Sequence, residues 1–475
     1  MRLFKTIYLS ATISIASAIG TNAQEPSIEW TKYYQIESVT EGWDMIETSD
    51  GGYMLVGSYG VSNFRPTACL IKTNSNGDTL WTKSYGGNLA DAWRSIKQTP
   101  EGGYIIAGYT TSFGAGEKDV YLVKTNSEGD TVWSRTFGGE ADEEGRCVEL
   151  TGDEGYIVAG WTSSFGEGGE DFYLIKIDLN GELIWERTYG TSSNERAWSV
   201  KRTPSGRYAI LGWTEYLFYS DMYFILTDAH GNEIVTRTYG GSGDDEGRAA
   251  LNVDYADYEN FILCGKYHSE GIPQIYVSRI TSLGYMMWER RFGAGMIGHS
   301  IAPTSDRGYI IGGYSIGSNP GAYIVKIRFD GNLLWDKNIP MSSESKIRAI
   351  RQTSDGGHAI AGYNSMKMIL FKLAPDQTSD VETENDLPIY FAFSQNHPNP
   401  FNVFTKISYD IPFDSDISIT IYNLHGQLIE ILYEGHQNTG KYTITWNASE
   451  YPSGVYFARL EAGDRSENIK MVLLK

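Results

Sequence analysis

Glycine followed four residues later by tryptophan recurs along this chain: Gly77 and Trp81, Gly129 and Trp133, Gly181 and Trp185, Gly284 and Trp288, Gly331 and Trp335. A period of about 50 residues imposes a repeat architecture, whatever else the sequence encodes. A second marker lies half a unit away. Tyr53, Tyr104, Tyr156, Tyr208, Phe261, Tyr309 and His358 each open an apolar run. Four residues later a glycine follows each of them: Gly57, Gly108, Gly160, Gly212, Gly265, Gly313 and Gly362. Glycine inside a strand weakens it unless something must approach closely. Seven copies at one position therefore imply one packing demand met in every unit.

Each unit reads as four strands. Around Tyr104 they are Arg94–Thr99, Tyr104–Thr110, Asp119–Thr125 and Thr131–Phe137, separated by turns rich in Gly, Asn and Asp. Four short antiparallel strands repeated around a circle make a β-propeller blade. The seventh unit stops after its third strand, Lys367–Leu373, while Ile28–Tyr34 is a fourth strand with no unit before it. Pairing the two closes the ring and leaves no open edge. The expectation is a seven-bladed all-β propeller over residues 24–374. Trp30, Trp81, Trp133, Trp185, Trp288 and Trp335 share one position, and Val235 takes it in the remaining unit. A side chain of that size can wedge between blades and bury about 150–250 Å².

Composition narrows the partners. The net charge of −20 excludes the basic footprint of a nucleic-acid binder and disfavours anionic lipid. Residues 1–23 read as a secretory leader, with Arg2 and Lys5 ahead of a short apolar stretch, Ile7 to Ile19, and Ala23 at the cut. No other segment is apolar enough to cross a membrane. Cys69, Cys147 and Cys264 lie in apolar strand patterns and read as buried small hydrophobes. Residues 375–388 are acidic and poor in apolar side chains, which reads as a linker. A second β-rich unit follows over 389–475. Its alternating Ile417, Ile419 and Ile421, and Tyr442, Ile444 and Trp446, suggest half-buried strands.

Two resemblances follow from these residues. The Gly-x-x-x-Trp pattern resembles the tryptophan-docking motif of quinoprotein-type propellers. Those enzymes generally have eight blades, and many carry adjacent cysteines and a calcium site. This chain has no adjacent cysteines, so neither cofactor nor metal is assigned. The second resemblance lies in the tail. Gln395-Asn396-His397-Pro398-Asn399-Pro400-Phe401-Asn402 looks like the opening of type A sorting domains of the type IX secretion system. Tyr409-Asp410-Ile411-Pro412, Tyr422-Asn423 with Gly426, Trp446-Asn447, Gly454-Val455-Tyr456 and a terminal Lys475 follow in the family's order. His397 stands where the family usually has Tyr, and Val403-Phe404-Thr405 where it usually has Pro-Thr-Thr. The resemblance implies an immunoglobulin-like sandwich and an export address read by the type IX machinery. The protein would then be secreted or held at the outer cell surface after passing through the periplasm.

Candidate ligand-binding residues sit near the start of each blade's first strand, which lines the channel. They are Arg94, Arg146, Trp198, Arg248, His299 and Arg348, with Asp44 at the same place in the first blade. Three residues upstream lie Glu41, Asp91, Glu143, Glu195 and Asp245. These charges make either a rim that clamps a carboxylate, phosphate or acidic sugar, or a belt of salt bridges between blades. Tyr109, Trp161, Trp213, Tyr314 and Tyr363 directly follow the strand glycine and either stack on sugars or pack the blades. The Asn/Asp turns at Asn74–Asp78, Asp178–Glu182 and Asp330–Asn332 read as hairpins, lacking the length of calcium loops. Gly243-Asp244-Asp245-Glu246-Gly247 is the better divalent candidate of the two kinds. No nucleophile elbow, zinc helix or phosphate loop is present, so no catalytic residue is assigned. The leading expectation is a binding or adhesion module for a glycan or surface protein. The alternative is a polysaccharide-active hydrolase or lyase using carboxylates at the channel mouth.

Overall fold

A computed structural model of the chain describes residues 25–60, 65–153, 155–216, 219–255, 258–269, 271–316, 320–376, 391–411, 415–462 and 465–475. The leader, residues 377–388 of the linker and Pro412 lie outside the described residues. Within them all regular structure is strand, and no helix is long and apolar enough to cross a membrane.

The propeller has seven four-stranded antiparallel sheets. In the second, the strands are Asp91–Gln98, Tyr104–Thr110, Asp119–Thr125 and Thr131–Phe137. The first strand begins three residues earlier than its apolar pattern, because Asp91, Ala92 and Trp93 still pair with Thr110, Tyr109 and Gly108. The seventh sheet is closed by the N-terminal strand. Trp30 pairs with Lys372 and Tyr34 with Met368. One covalent end thus completes the blade that the other end leaves open.

The Gly-x-x-x-Trp pattern spans two interfaces. A Cβ on Gly129 would stand 2.6 Å from the Trp81 ring, and one on Gly181 3.1 Å from Trp133. Each glycine therefore docks on the preceding blade, on its tryptophan or, for Gly284, on Arg237, Tyr239 and Val235, and not on the tryptophan four residues on. It also sits at positive φ in its hairpin turn, +80° for Gly129. The same tryptophans meet the ring that opens the next blade's second strand: Trp30 with Tyr53 at 5.8 Å and Trp185 with Tyr208 at 6.0 Å.

A cation lies across from each of these tryptophans, buried in every case but the part-buried Lys124. Lys72 pairs with Trp81, Lys124 with Trp133, Lys176 with Trp185, Arg279 with Trp288, Lys326 with Trp335 and Lys372 with Trp30. The Lys72 ammonium donates to Thr48 and Asp50, both at 2.7 Å, in the blade's first turn. Lys176 reaches Thr151 and Asp153 at 3.0 Å in the same way. The fourth blade loses all three members together. Val235 faces Leu226, and Ser205 stands where the turn acid would be. A buried ammonium without its carboxylate would be costly, so acid and cation disappear as a set.

The C-terminal unit is two antiparallel sheets, one of three strands and one of four. Both contribute to one core. Ile407, Tyr409 and Ile411 come from the first sheet, and Ile419, Ile421, Leu460 and Met471 from the second. Trp446 is fully buried among them and donates its indole N–H to Glu430 at 2.9 Å.

Candidate functional site

Every blade's innermost strand is bulged at one equivalent place. Its pairing with the second strand skips Trp43, Arg94, Arg146, Trp198, Arg248, His299 and Arg348 in turn. A bulged residue leaves the ladder and its side chain is re-aimed. The repeated strand glycine lies against each bulge. A Cβ on Gly57 would stand 1.8 Å from the Glu41 carbonyl oxygen, and one on Gly160 1.8 Å from that of Glu144. This is the packing demand that the sequence repeats seven times. The glycine in the second strand makes room for the bulge that turns a first-strand side chain into the channel. The bulged residues converge on an axial cavity of about 250 Å³.

Asp44 does not hold the ring position in the first blade; Trp43 does. Asp44 follows the bulge and binds the neighbours, accepting from the Ile96 N–H and from the Arg351 guanidinium, each at 3.2 Å. Counting fourteen residues back from Gly57 reaches Trp43, as the same count from Gly108 reaches Arg94. That spacing was the signal available in the sequence.

The ring is a set of guanidiniums spaced by two indoles. Arg94 and Arg348 lie over Trp43 at 3.9 and 4.2 Å, and Arg146 and Arg248 over Trp198 at 4.3 and 4.0 Å. Such contacts gain strength where water is excluded. The fully buried Glu144 accepts from Arg94 Nε at 2.5 Å and Arg146 Nη2 at 3.0 Å. Burial pushes its carboxyl up, but Arg146 and Arg94 outweigh this and hold it below the usual range. Arg248 pairs with Glu246, which also takes Lys266 at 2.6 Å. Arg348 has a different partner. Its Nη1 donates to His299 Nε2 at 2.6 Å, while His299 Nδ1 donates to the Arg348 carbonyl at 3.2 Å. That pattern fixes a neutral imidazole. Burial, with Arg348 and Arg248 nearby, also lowers the His299 pKa far below its ordinary value.

Among the described residues, several donors in the ring have no hydrogen-bond partner. They are Arg146 Nε and Nη1, Arg248 Nε, Arg348 Nε, Trp43 Nε1 and Trp198 Nε1. A buried donor without an acceptor costs about 1–3 kcal/mol. Below the ring, Lys97 and Lys201 both pair with Glu149. Cys147 also lines this cavity, so it is a channel-wall residue, whereas Cys69 and Cys264 are fully buried in the blades.

The upstream acids are elsewhere engaged. Asp91 accepts from the Gly87 N–H and Ser112 hydroxyl, both at 2.8 Å, and Glu143 from the Gly139 N–H at 2.8 Å and Thr162 at 2.7 Å. Glu195 accepts from the Thr191 N–H at 2.9 Å and Asp245 from the Gly241 N–H at 2.7 Å. All four are fully buried and fasten one blade's exit loop to the next blade. Glu41 is the exception, half-buried in a shallow depression beside Tyr59 and Tyr109. Around Asp244–Glu246 the side chains diverge. Asp245 binds backbone, Glu246 binds Arg248, and Asp244 accepts from the Ser220 N–H at 3.3 Å. The Asn/Asp turns spend their oxygens on themselves, Asn74 Oδ1 accepting from Asn76 and Asp78 at 3.0 and 2.9 Å. Of the aromatics after the strand glycine, Tyr109 and Trp161 are buried, and Trp213, Tyr314 and Tyr363 are half-buried.

In the tail, the Asn-Pro segment clamps the last strand. Asn396 donates to Pro398 and Thr405 at 3.0 and 2.8 Å. Asn399 Oδ1 accepts from the Val472 N–H at 2.9 Å and its Nδ2 donates to the Lys470 carbonyl at 3.1 Å. Pro400 leads into Phe401, whose buried ring meets Trp446 at 5.5 Å. Phe401 also exchanges backbone bonds with Val472 and Leu474 at 2.9 and 2.8 Å. Gly426 makes a turn at φ +76°, Tyr456 is buried and donates to Pro452 at 2.8 Å, and Lys475 donates to the Ser449 carbonyl at 2.6 Å. Asn402 is exposed, and Gly454 opens the strand Gly454–Ala462.

Residues 396–474 match the family described as the secretion system C-terminal sorting domain. The tail is therefore a type IX sorting domain, and the chain is a protein exported to the cell surface or beyond it. No curated protein matches the sequence. Among solved structures, the chain is similar to PorZ, a surface component of the type IX secretion system of Porphyromonas gingivalis. Identity is 12% and the TM-score 0.41, over 90% of this chain and 58% of that one. The chain thus spans somewhat over half the length of that protein. It is also similar to the Pan2 WD40 domain of Neurospora crassa, with 13% identity and a TM-score of 0.45 over 74% of this chain and all of that one. Sqt1 of Chaetomium thermophilum gives 9% identity and a TM-score of 0.46, over 73% and 99% of the two chains.

Proposed function

We propose that this chain is a non-catalytic binding module, delivered by its sorting domain and engaging a glycan or surface protein through the propeller channel. The proposed organisation is a leader over 1–23, the propeller over 24–374, an acidic linker over 375–388 and an immunoglobulin-like tail over 389–475. One observation carries the reading. The seven bulged positions place arginines, tryptophans and a histidine around a cavity. The carboxylates that a hydrolase would need at that mouth are, at Asp91, Glu143, Glu195 and Asp245, buried and bonded to loops. That arrangement favours binding over the carboxylate-based enzyme.

The test is an array of glycans and surface proteins probed with the secreted protein, beside an Arg94→Ala/Arg146→Ala variant. Binding to a defined class that the variant loses is expected. Equal binding by the variant would remove the channel from the reading. Export is tested separately by deleting residues 391–475, which should hold the propeller in the periplasm. Normal release of that truncation would contradict the role of the tail.

A further inference from the structure

We infer that the channel binds a compact oxyanion, a carboxylate, sulfate or phosphate group, with Arg146, Arg248 and Arg348 as its binding residues and Trp43 and Trp198 as spacers that hold them. The inference rests on the binding reading above and adds the chemistry of the ligand.

Three features point the same way. First, the cations outnumber the acids they use. Glu144 serves both Arg94 and Arg146, Glu149 serves both Lys97 and Lys201, and Arg348 contacts a neutral histidine in place of a carboxylate. Each shared acid leaves a positive charge over. This occurs in a chain of net charge −20, so the channel inverts the sign of the whole molecule. Second, the unpartnered polar atoms of the ring are all donors. An oxyanion offers only acceptors, and planar guanidiniums match its geometry. Third, both indole faces are already covered by guanidiniums, so the tryptophans are not free platforms for a sugar ring. They keep the arginines apart and shield them from water.

The like charges also burden one another. Burial pushes Arg348 down, and Arg248 and Arg94 add to it. An anion seated among them relieves that repulsion.

The test is calorimetric titration of the full secreted chain at constant ionic strength with inorganic sulfate, inorganic phosphate, citrate and digalacturonate. Arg348→Gln and Arg146→Gln variants run beside it, each checked by circular dichroism for a native spectrum. One saturable equivalent is expected, at least tenfold weaker in either variant. Preference for sulfate or phosphate assigns the group to a phosphorylated or sulfated ligand, and preference for digalacturonate to an acidic sugar. If Arg348→Gln fails to fold, Arg348→Lys keeps the charge without the planar fork and should weaken binding by a smaller factor. No saturable binding of any anion, or equal binding by the variants, overturns the inference. Array binding of neutral ligands with no anion effect would overturn it and leave the binding reading standing. Anion binding with no array ligand would do the reverse.

Discussion

The outer rim and the inner ring of the propeller are built from the same seven repeats, yet they treat repetition in opposite ways. At the rim, a cation faces a tryptophan in six blades, and the fourth blade replaces the pair by Leu226 and Val235. At the ring, equivalent positions hold Trp, Arg, Arg, Trp, Arg, His and Arg. The rim must satisfy the same blade-to-blade contact seven times, so one solution recurs. The ring needs only a bulge and the glycine that admits it. The side chain projected into the channel is released from the fold, and there the blades differ. Repetition marks what holds the molecule together, and divergence at a repeated bulge marks the channel wall, where we propose that a ligand binds.

Lesions at the rim should be the most damaging. Trp288→Ala removes a wedge that is 7% exposed and contacts Gly331, and it should cost about 3–5 kcal/mol by urea denaturation. A cost below about 1 kcal/mol would mean that the tryptophan is not a wedge. Leu226→Lys places an ammonium in a blade whose turn has Ser205 in place of the acid and should cost about 3 kcal/mol. Adding Ser205→Asp should restore most of it. Additive effects in that double-mutant cycle would break the argument that acid and cation depart as a set. Between rim and ring lies the strand glycine. Gly160→Ala drives a methyl into the Glu144 carbonyl and should cost about 1–3 kcal/mol while also disturbing the channel.

Proton linkage separates the blade junctions from the channel more gently. At two junctions Asp171 meets Glu195 beside Gly190, and Asp221 meets Asp245 beside Gly240. Burial raises the carboxyl pKa values of Asp171, Asp221 and Asp245, with Glu195 adding to the first and Asp221 to the last. The folded state takes up these protons before the unfolded chain does, so stability should rise as pH falls from neutrality through their folded values. Glu149 has the opposite sign. Burial pushes it up, but Lys201 and Lys97 hold it at about 2. Its contribution is full above the unfolded value and is lost as pH falls through about 2. A thermal midpoint that peaks on the acid side of neutrality and then declines is expected. A midpoint that only falls below pH 7 would contradict the junction assignment.

Much of this was legible in the chain itself. Ile28–Tyr34 and Lys367–Leu373 were readable as neighbouring strands of one blade because a propeller leaves no edge open. The Gly-x-x-x-Trp spacing was legible, but not that its glycine serves the tryptophan of the blade before. That relation is made across an interface that local periodicity does not encode. The ring was legible in six blades and slipped by one residue in the first. A bulge shifts the period of two, and Asp44 offered a charge where Trp43 holds the place. The buried fate of Asp91, Glu143, Glu195 and Asp245 was not legible. Their partners are loop N–H groups and hydroxyls of neighbouring turns, brought close only when the ring closes.

The comparison is tested most directly by the thermal midpoint of Arg348→Gln, measured without added ligand in a low-salt buffer free of polyvalent anions. A ring residue kept for a ligand and repelled by its neighbours predicts a midpoint equal to or above that of the unsubstituted protein. A midpoint several degrees lower would contradict the account and place Arg348 with the structural cations of the rim.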